Sequence, residues 1–552
     1  MKPKYSIVVL VALLLGSGCS LDEQIFDTPA ESNYIQSEGD VTALLNGSYG
    51  VLQGANAFKF EAFKLVQLAA DDLSSTVVNF NEVSQKTFSP ATSFIGWAYS
   101  EIYSVINNCN WIIANVPSMD LNDLYKTRVD GEAKFLRAFC YFYLVRFFGG
   151  VPLRTEPTTI QSDFMKARAS IDEVYDLIVT DLIEASEKLP LKSAASIGGL
   201  GRANRGAAHA LLSLAFLTRA SHQDMAGVGA EMHYQLAKDY ADSVIVSGQY
   251  SLLDNYADLW DVEKEAEAYQ EVIFGLEFTR DGSIGLRNSK GSDFPFRYMP
   301  NTLANVSAQG VHRTGSGQIK VQPWFHEFYT TGDYTNDYRS EVSFLSTWTG
   351  TGGATRYTFP LVPPVGAPQE RQSYLNKYRD GNAIDIQNHE NDWFVIRLSE
   401  VYLIRAEAEN ALHGPTAAAY NDFNKLRERA RKANGVVRTM PQDLMPGLTQ
   451  DEFRMKIFEE RGLEFVGEGK RWFDLVRMKS PMGTTMYEFM FGTFLPTLPA
   501  GLPVWHGPSR SWQGGRTESS NLPSYHPRFL LFPIPVRETD LNPEIVPNPG
   551  YF

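Results

Sequence analysis

Apolar positions through the middle of the chain recur with the period of amphipathic helices. In residues 132–148, Ala133, Leu136, Cys140, Tyr143, Leu144 and Phe147 share one side, and Gly149, Gly150 and Pro152 close the run. Ser170 and Glu173 form a capping-box pair ahead of a face made by Val174, Leu177, Ile178, Leu182 and Ala185, which Pro190 ends. Residues 205–220 and 233–247 predict another helical pair, the first Ala-rich enough for close approach. Residues 397–413 place Leu398, Val401, Tyr402, Arg405, Ala408 and Leu412 on one side, and His413-Gly414-Pro415 reads as a stop and restart. Thr416 is expected to cap the next helix and Gly435 to close it, and Thr449 with Glu452 forms a second capping box. Antiparallel pairs of this length are the texture of tetratricopeptide-type units. The fold expected is therefore mostly α: helical hairpins forming a scaffold, with long loops and short strands on one side.

The pattern breaks twice. Residues 248–395 are rich in Gly, Tyr, Asp, Asn and Thr and hold no sustained helical period, although 271–278 reads as a strand. Residues 480–528 are similar and dense in Gly and Pro. Loops of such length in a compact protein tend to be functional or disordered, and their aromatic content argues against disorder. The helices on either side of 248–395 are expected to form one framework, interrupted in sequence and continuous in space.

The N-terminus has its own layout. Lys2 and Lys4 precede an apolar run from Ile7 to Leu15, then Gly16, Ser17, Gly18 and Cys19. A helix of that run would reach only about 13 Å against a bilayer core of ~30 Å, so it reads as a secretory signal and not a membrane span. Leu15-Gly16-Ser17-Gly18-Cys19 resembles a bacterial lipobox, which would make Cys19 the lipidated first residue of the mature chain. The expected organisation is a signal peptide over 1–18 and a single domain over 19–552. Within that domain, 19–247 is helical, 248–395 is the insertion, and 396–552 carries a helical hairpin and the C-terminal motifs.

Composition narrows the function. The 552 residues carry 50 Lys+Arg and 64 Asp+Glu, a net charge of −14, which argues against binding nucleic acid by bulk charge. Losing Lys2 and Lys4 with the signal takes the −14 to −16. Three cysteines exclude a disulfide scaffold, and Cys109 and Cys140 lie in helical apolar patterns as expected buried thiols. Zinc-protease, nucleophile-elbow and phosphate-loop motifs are absent. Glu459, Glu460, Glu464, Glu468 and Asp474 crowd one segment but alternate with Arg461, Lys470 and Arg471, which predicts an ion-paired network locking the last helix against Trp472 and Phe473. No cofactor is expected, although calcium on loop carboxylates requires no strict signature.

Several long motifs resemble one family in its order. They are GEAKFLRAFCYFYLVRFFGGVPL (131–153), RANRGAAHALLSLAFL (202–217), RLSEVYLIRAEAENALHG (397–414), FNKLRERA (423–430), IFEERGLEFVGEGKRWFDLVRM (457–478) and LFPIPVRETDLNPEIVPNPGY (531–551), with WAYSEIYSVINNCN (97–110) before them. The chain resembles the SusD/RagB family of outer-membrane nutrient-binding lipoproteins. The resemblance implies a lipid-anchored protein on the outer membrane, facing outward, that captures a nutrient and passes it to a SusC-like TonB-dependent transporter without covalent chemistry. An oligosaccharide is the expected ligand. A peptide ligand, a surface glycoside hydrolase and a lid without ligand affinity are the alternatives.

A sugar offers apolar C–H faces and a rim of hydroxyls, so exposed rings interleaved with planar polar side chains are what a site needs. Asn79, Asn81 and Trp97 form one candidate group; Arg297 and Tyr298 a second; Trp324 and Trp348, near Tyr329, Tyr334 and Tyr357, a third. Each ring has packing as its alternative. Trp111, Trp260, Trp393 and Trp472 are expected in the core, and Trp505 and Trp512 suit either a ligand groove or a partner surface.

Overall fold

The computed structural model describes residues 35–159, 161–194, 199–279, 291–304, 315–381, 388–518 and 525–551. The signal segment and Cys19 lie outside them. The N-terminal elements are α1 (Glu38–Leu52), α2 (Glu61–Leu68), β1 (Leu73–Ser74), α3 (Val78–Ser84) and α4 (Ser93–Asn115). Then come α5 (Asp123–Phe148), α6 (Ile171–Lys188), α7 (Arg205–Ala226) and α8 (Glu231–Val246). The insertion holds β2 (Val272–Leu276), α9 (Phe294–Tyr298), β3 (Lys320–Val321), α10 (Pro323–Phe328), α11 (Tyr338–Ser343), β4 (Thr347–Thr349), β5 (Thr355–Thr358), β6 (Gln369–Glu370) and β7 (Trp393–Arg397). The frame resumes with α12 (Leu398–His413), α13 (Ala417–Ala430), α14 (Gln450–Glu464) and α15 (Arg471–Arg477), followed by the hairpin β8 (Pro503–His506) and β9 (Ser511–Gly514).

Local chemistry sets the helix ends. Ser170 and Thr449 close reciprocal capping boxes with Glu173 and Glu452, and Thr416 accepts from the Ala419 amide. After Phe148 the chain turns at Gly149, whose φ of 73° suits a residue without Cβ. Gly435 does not close α13, which ends at Ala430 with Arg431 as its cap. Asn434 (φ 50°) and Gly435 (φ 80°) are instead the paired left-handed residues of a tight hairpin turn between Lys432–Ala433 and Val436–Val437.

Helices α5 and α6, α7 and α8, and α12 and α13 pack as antiparallel neighbours, and α8 packs directly on α12 across the insertion. The frame is thus continuous in space although residues 247–397 leave it. The insertion departs and returns through the antiparallel pair β2–β7, whose residues are all buried. One contiguous set of buried apolar side chains runs from Val41 to Tyr551 and includes residues of the frame and the insertion. Trp260, Trp393 and Trp472 belong to it, and Trp111 is half-buried against it. Cys109 and Cys140 are buried free thiols, which burial pushes above the ordinary thiol range.

The acid-rich segment forms a buried ion network. Glu464 meets Arg397 at 2.7 Å, Arg339 at 3.1 Å and Arg429; Glu460 meets Arg339 at 2.7 Å and Arg427 at 3.1 Å; Glu468 meets Lys377 and Arg397 at 2.8 Å each. Burial alone would raise Glu464, but Arg429, Arg397 and Arg339 hold it well below the usual carboxylate range. Burial also opposes ionisation of Glu400, yet Lys470 and Arg461 bring it to about 2. Glu400, Glu460, Glu464 and Glu468 are all buried. They tie the insertion (Arg339, Lys377) and the N-terminal segment (Asp71, on Arg471 at 2.7 Å) to the frame.

Candidate binding face

A small antiparallel pairing brings the distant candidates together. β1 pairs with β3 in the register Leu73↔Val321 and Ser74↔Lys320. The Gln322 amide donates to the Asp72 carbonyl (2.8 Å), and the Trp324 indole N–H donates to the Asp71 carbonyl (3.1 Å). The segment after residue 70 is thereby sewn to the insertion. Beside it, α3 turns Phe80 and Val83 inward and leaves Asn79 exposed and Asn81 half-exposed. Phe80 packs on Phe60 at 5.2 Å, and the Arg297 guanidinium lies 4.1 Å from the Phe60 ring centre. Arg297 also pairs with Asp293 (2.9 Å) and donates to the Gln318 side chain (2.7 Å). Asn79, Asn81 and Arg297 therefore lie around one aromatic pair. Lys64 sits beneath it, 3.7 Å from the Phe94 ring centre, and burial lowers its pKa.

Trp97 lies one helical turn beyond Phe94 and is 48% exposed, because the buried face of α4 runs through Phe94, Ile95, Ala98 and Ile102. Further along α4 a groove of about 690 Å³ is lined by Tyr103, Asn107, Asn108, Arg154 and Glu538, among others.

Three expected rings are not available, which corrects the reading of exposed aromatics. Tyr298 is 1% exposed, with its ring stacked on Tyr378. It shares the inner side of α9 with Phe294, four residues earlier. Trp324 is 7% exposed and packs edge-on against Phe325 and Phe494. Trp348 is 5% exposed; its indole N–H donates to the Thr302 hydroxyl (3.1 Å), and strand alternation sends Thr347 and Thr349 outward instead. Tyr329 and Tyr334 are buried too, while Tyr357 stays half-exposed. The buried rings hold the loops from behind.

A partly exposed ring pair lies elsewhere. Trp505 and Trp512 are direct partners across the β8–β9 hairpin, with centroids 5.4 Å apart, and both are partly exposed. The Trp512 indole donates to the Leu361 carbonyl (2.7 Å), and its ring meets Phe359 edge-on. Arg510 donates to the Pro363 carbonyl (3.0 Å), and Arg516 covers Phe359 at 4.7 Å. The same hairpin is anchored to the β3–α10 segment: the Trp324 amide donates to the Arg516 carbonyl (2.9 Å), and Arg516 pairs with Glu327 (2.6 Å). Two tryptophans placed symmetrically about Pro508-Ser509 are the sequence signal for such a pair. Exposed Val362, Val365 and Val504 surround it.

This face offers ring surfaces beside amides and guanidinium groups, a combination suited to stacking and hydrogen bonding. Among the described residues, no group of three or more His, Cys, Asp or Glu is placed to hold a metal ion.

A helical-hairpin frame carrying a face built from long aromatic loops is the class of structure defined here. The SusD family profile matches residues 270–551, and a second profile, described as starch-binding associating with outer membrane, matches residues 22–217. The chain belongs to the SusD family. It is 27% identical to SusD-like protein P25 of Formosa agariphila over 99% of this chain and 100% of that one. Among solved structures, a SusD homolog from Bacteroides thetaiotaomicron matches with a TM-score of 0.76 at 22% identity, covering 94% of this chain and 98% of that one. A laminarin binding SusD-like protein matches with a TM-score of 0.68 at 23% identity, covering 94% and 100%.

Proposed function

We propose that this protein is a cell-surface nutrient-binding lipoprotein that captures oligosaccharides and hands them to a SusC-like TonB-dependent transporter. The observation that carries the reading is the partly exposed Trp505–Trp512 pair, held in place by the Trp512–Leu361 hydrogen bond and the Arg510–Pro363 contact. A sugar face stacks on these rings, and Asn79, Asn81 and Arg297 contribute hydroxyl contacts where a longer ligand reaches them. Trp97 offers a further ring on α4. Support comes from the family, from the starch-binding, outer-membrane description of the second profile, and from the laminarin binding of a protein with the same fold. Cys19 carries the lipid that holds the protein on the outer membrane, facing outward. Capture involves no covalent step. The chain folds as a single domain over 19–552.

The test is a glycan panel presented to the purified chain lacking residues 1–19, which keeps the whole apolar core from Val41 onward. Saturable binding of at least one oligosaccharide, without release of reducing ends, is expected. Peptide binding with no glycan binding would overturn the ligand class, and released reducing ends would overturn the non-catalytic role.

A further inference from the structure

A second pocket lies on the helical frame, at the junction of α5, α6 and α7 with the C-terminal segment. It has a volume of about 450 Å³, within the range of ligand pockets. Ile171, Met225, Val476, Leu530 and Leu531 give it apolar walls. Of the polar groups among those walls, two are buried without a full set of partners. Tyr175 is 1% exposed, and its hydroxyl is buried without a hydrogen-bond partner. A buried hydroxyl of this kind has lost water without gaining a replacement, so a ligand atom that accepts its proton is favoured.

Arg146 is the second group, at 8% exposure. Its Nε donates to the Phe142 carbonyl (3.1 Å), and its plane is held between the rings of Phe142 (3.8 Å) and Phe473 (3.7 Å). The Tyr143 hydroxyl neighbours it, but among the described residues no carboxylate stands at ion-pair distance from it. The other arginines lining the pocket are neutralised. Arg477 pairs with Glu407 (2.6 Å) and Asp474 (2.8 Å), and Arg219 with Asp176 (2.8 Å) and Asp172 (3.0 Å). His222 adds no charge at neutral pH, since burial and Arg477 bring it down to about 4. Among the described residues Arg146 is thus the arginine of this pocket without a carboxylate at ion-pair distance, and it stands beside one unsatisfied donor.

We infer that this pocket binds a small apolar molecule ending in a carboxylate, with the head group on Arg146 and the Tyr175 hydroxyl and the apolar body against Ile171, Met225 and Leu531. A planar carboxylate matches the guanidinium fork and supplies the partner that Arg146 lacks. The site is independent of the Trp505–Trp512 face and does not rest on the oligosaccharide reading.

The test uses the chain lacking residues 1–19, with hexanoate and 3-phenylpropionate as probes and the matching alcohols as controls, by titration calorimetry and saturation-transfer NMR at pH 7. Saturable binding of at least one acid is expected, with its alcohol at least ~10-fold weaker. Arg146→Met keeps the apolar stem and should abolish the acid preference; Tyr175→Phe should weaken the acid by ~3-fold or more. Trp505→Ala should leave acid binding unchanged. Absence of saturable binding, or equal binding of acid and alcohol, would overturn the inference. If Arg146→Met does not fold, the acid–alcohol comparison and Tyr175→Phe still decide it.

Discussion

Replacing Glu464 by Gln probes the joint between frame and insertion. Glu464 is fully buried and faces Arg397 at 2.7 Å, Arg339 at 3.1 Å and Arg429. The substitution keeps the shape but removes the charge, and it turns one acceptor into a donor aimed at guanidinium groups. Breaking a buried ion pair by removing one partner costs ~3–5 kcal/mol. The low end applies here, because each arginine keeps another carboxylate: Arg339 has Asp337 and Glu460, Arg397 has Glu468 and Glu271, and Arg429 has Glu271. At ~2.1 cal/mol/K per residue, the unfolding entropy of 552 residues is about 1.2 kcal/mol/K, so ~3 kcal/mol lowers the melting temperature by about 2–3 °C.

Scanning calorimetry of the wild type and Glu464→Gln reads this directly, and pH supplies a second check. The folded-state pKa of Glu464 is depressed, so its contribution is fully present above the unfolded value of ~4.3 and is lost as pH falls through the lower folded value. The gap between the two proteins should be constant from pH 5 to 7 and should narrow below about pH 4. A shift under ~1 °C, or a gap that widens in acid, would refute the assignment of Glu464 as the charge that holds the three arginines.

Trp505→Ala and Trp512→Ala should each weaken the best glycan of the panel by ~2–12-fold, from ~0.5–1.5 kcal/mol of ring contact, as read by calorimetry. Trp348→Ala should cost ~3–5 kcal/mol in urea unfolding and leave glycan affinity of the folded protein unaltered, because its ring packs on Tyr374 behind the loops. Gly150→Ala should severely reduce soluble yield, since an added Cβ would stand 2.1 Å from the Ala169 carbonyl oxygen. Thr449→Ala removes the α14 capping box and should lower stability by ~1 kcal/mol in the same urea assay.

What was legible in the amino-acid sequence follows the range of the interactions. Helix starts at Ser170 and Thr449 and the turn at Gly149 are decided within four residues, so the sequence reading and the structure agree there. Gly435 shows the limit even of local signals: a positive φ serves a helix cap and a hairpin turn equally well, and the strand pairing of Val436 and Val437 decides between them. The acid-rich segment could be read as an ion network from its alternating charges, but not that Arg339, Lys377 and Asp71 reach it from distant parts of the chain.

The ring faces depend on longer-range information still. Thr347-Trp348-Thr349 places the indole opposite its two neighbours, but which side of the strand is covered depends on Thr302 and Tyr374 arriving from elsewhere in the insertion. The same Thr-Trp-Thr pattern on an uncovered sheet would have exposed the indole. Trp512 carries the converse lesson. Its neighbours are Ser, Gln and Gly, and its accessible position is set by the Leu361 carbonyl, 151 residues earlier in the chain. A tryptophan whose N–H is already satisfied by a backbone carbonyl keeps its ring oriented before any ligand arrives, so less freedom is lost on stacking. On the proposed reading, that preorganisation would set the Trp512 ring apart from an incidental exposed one. Removing the Leu361 contact while keeping the indole should therefore weaken glycan binding without touching the binding surface.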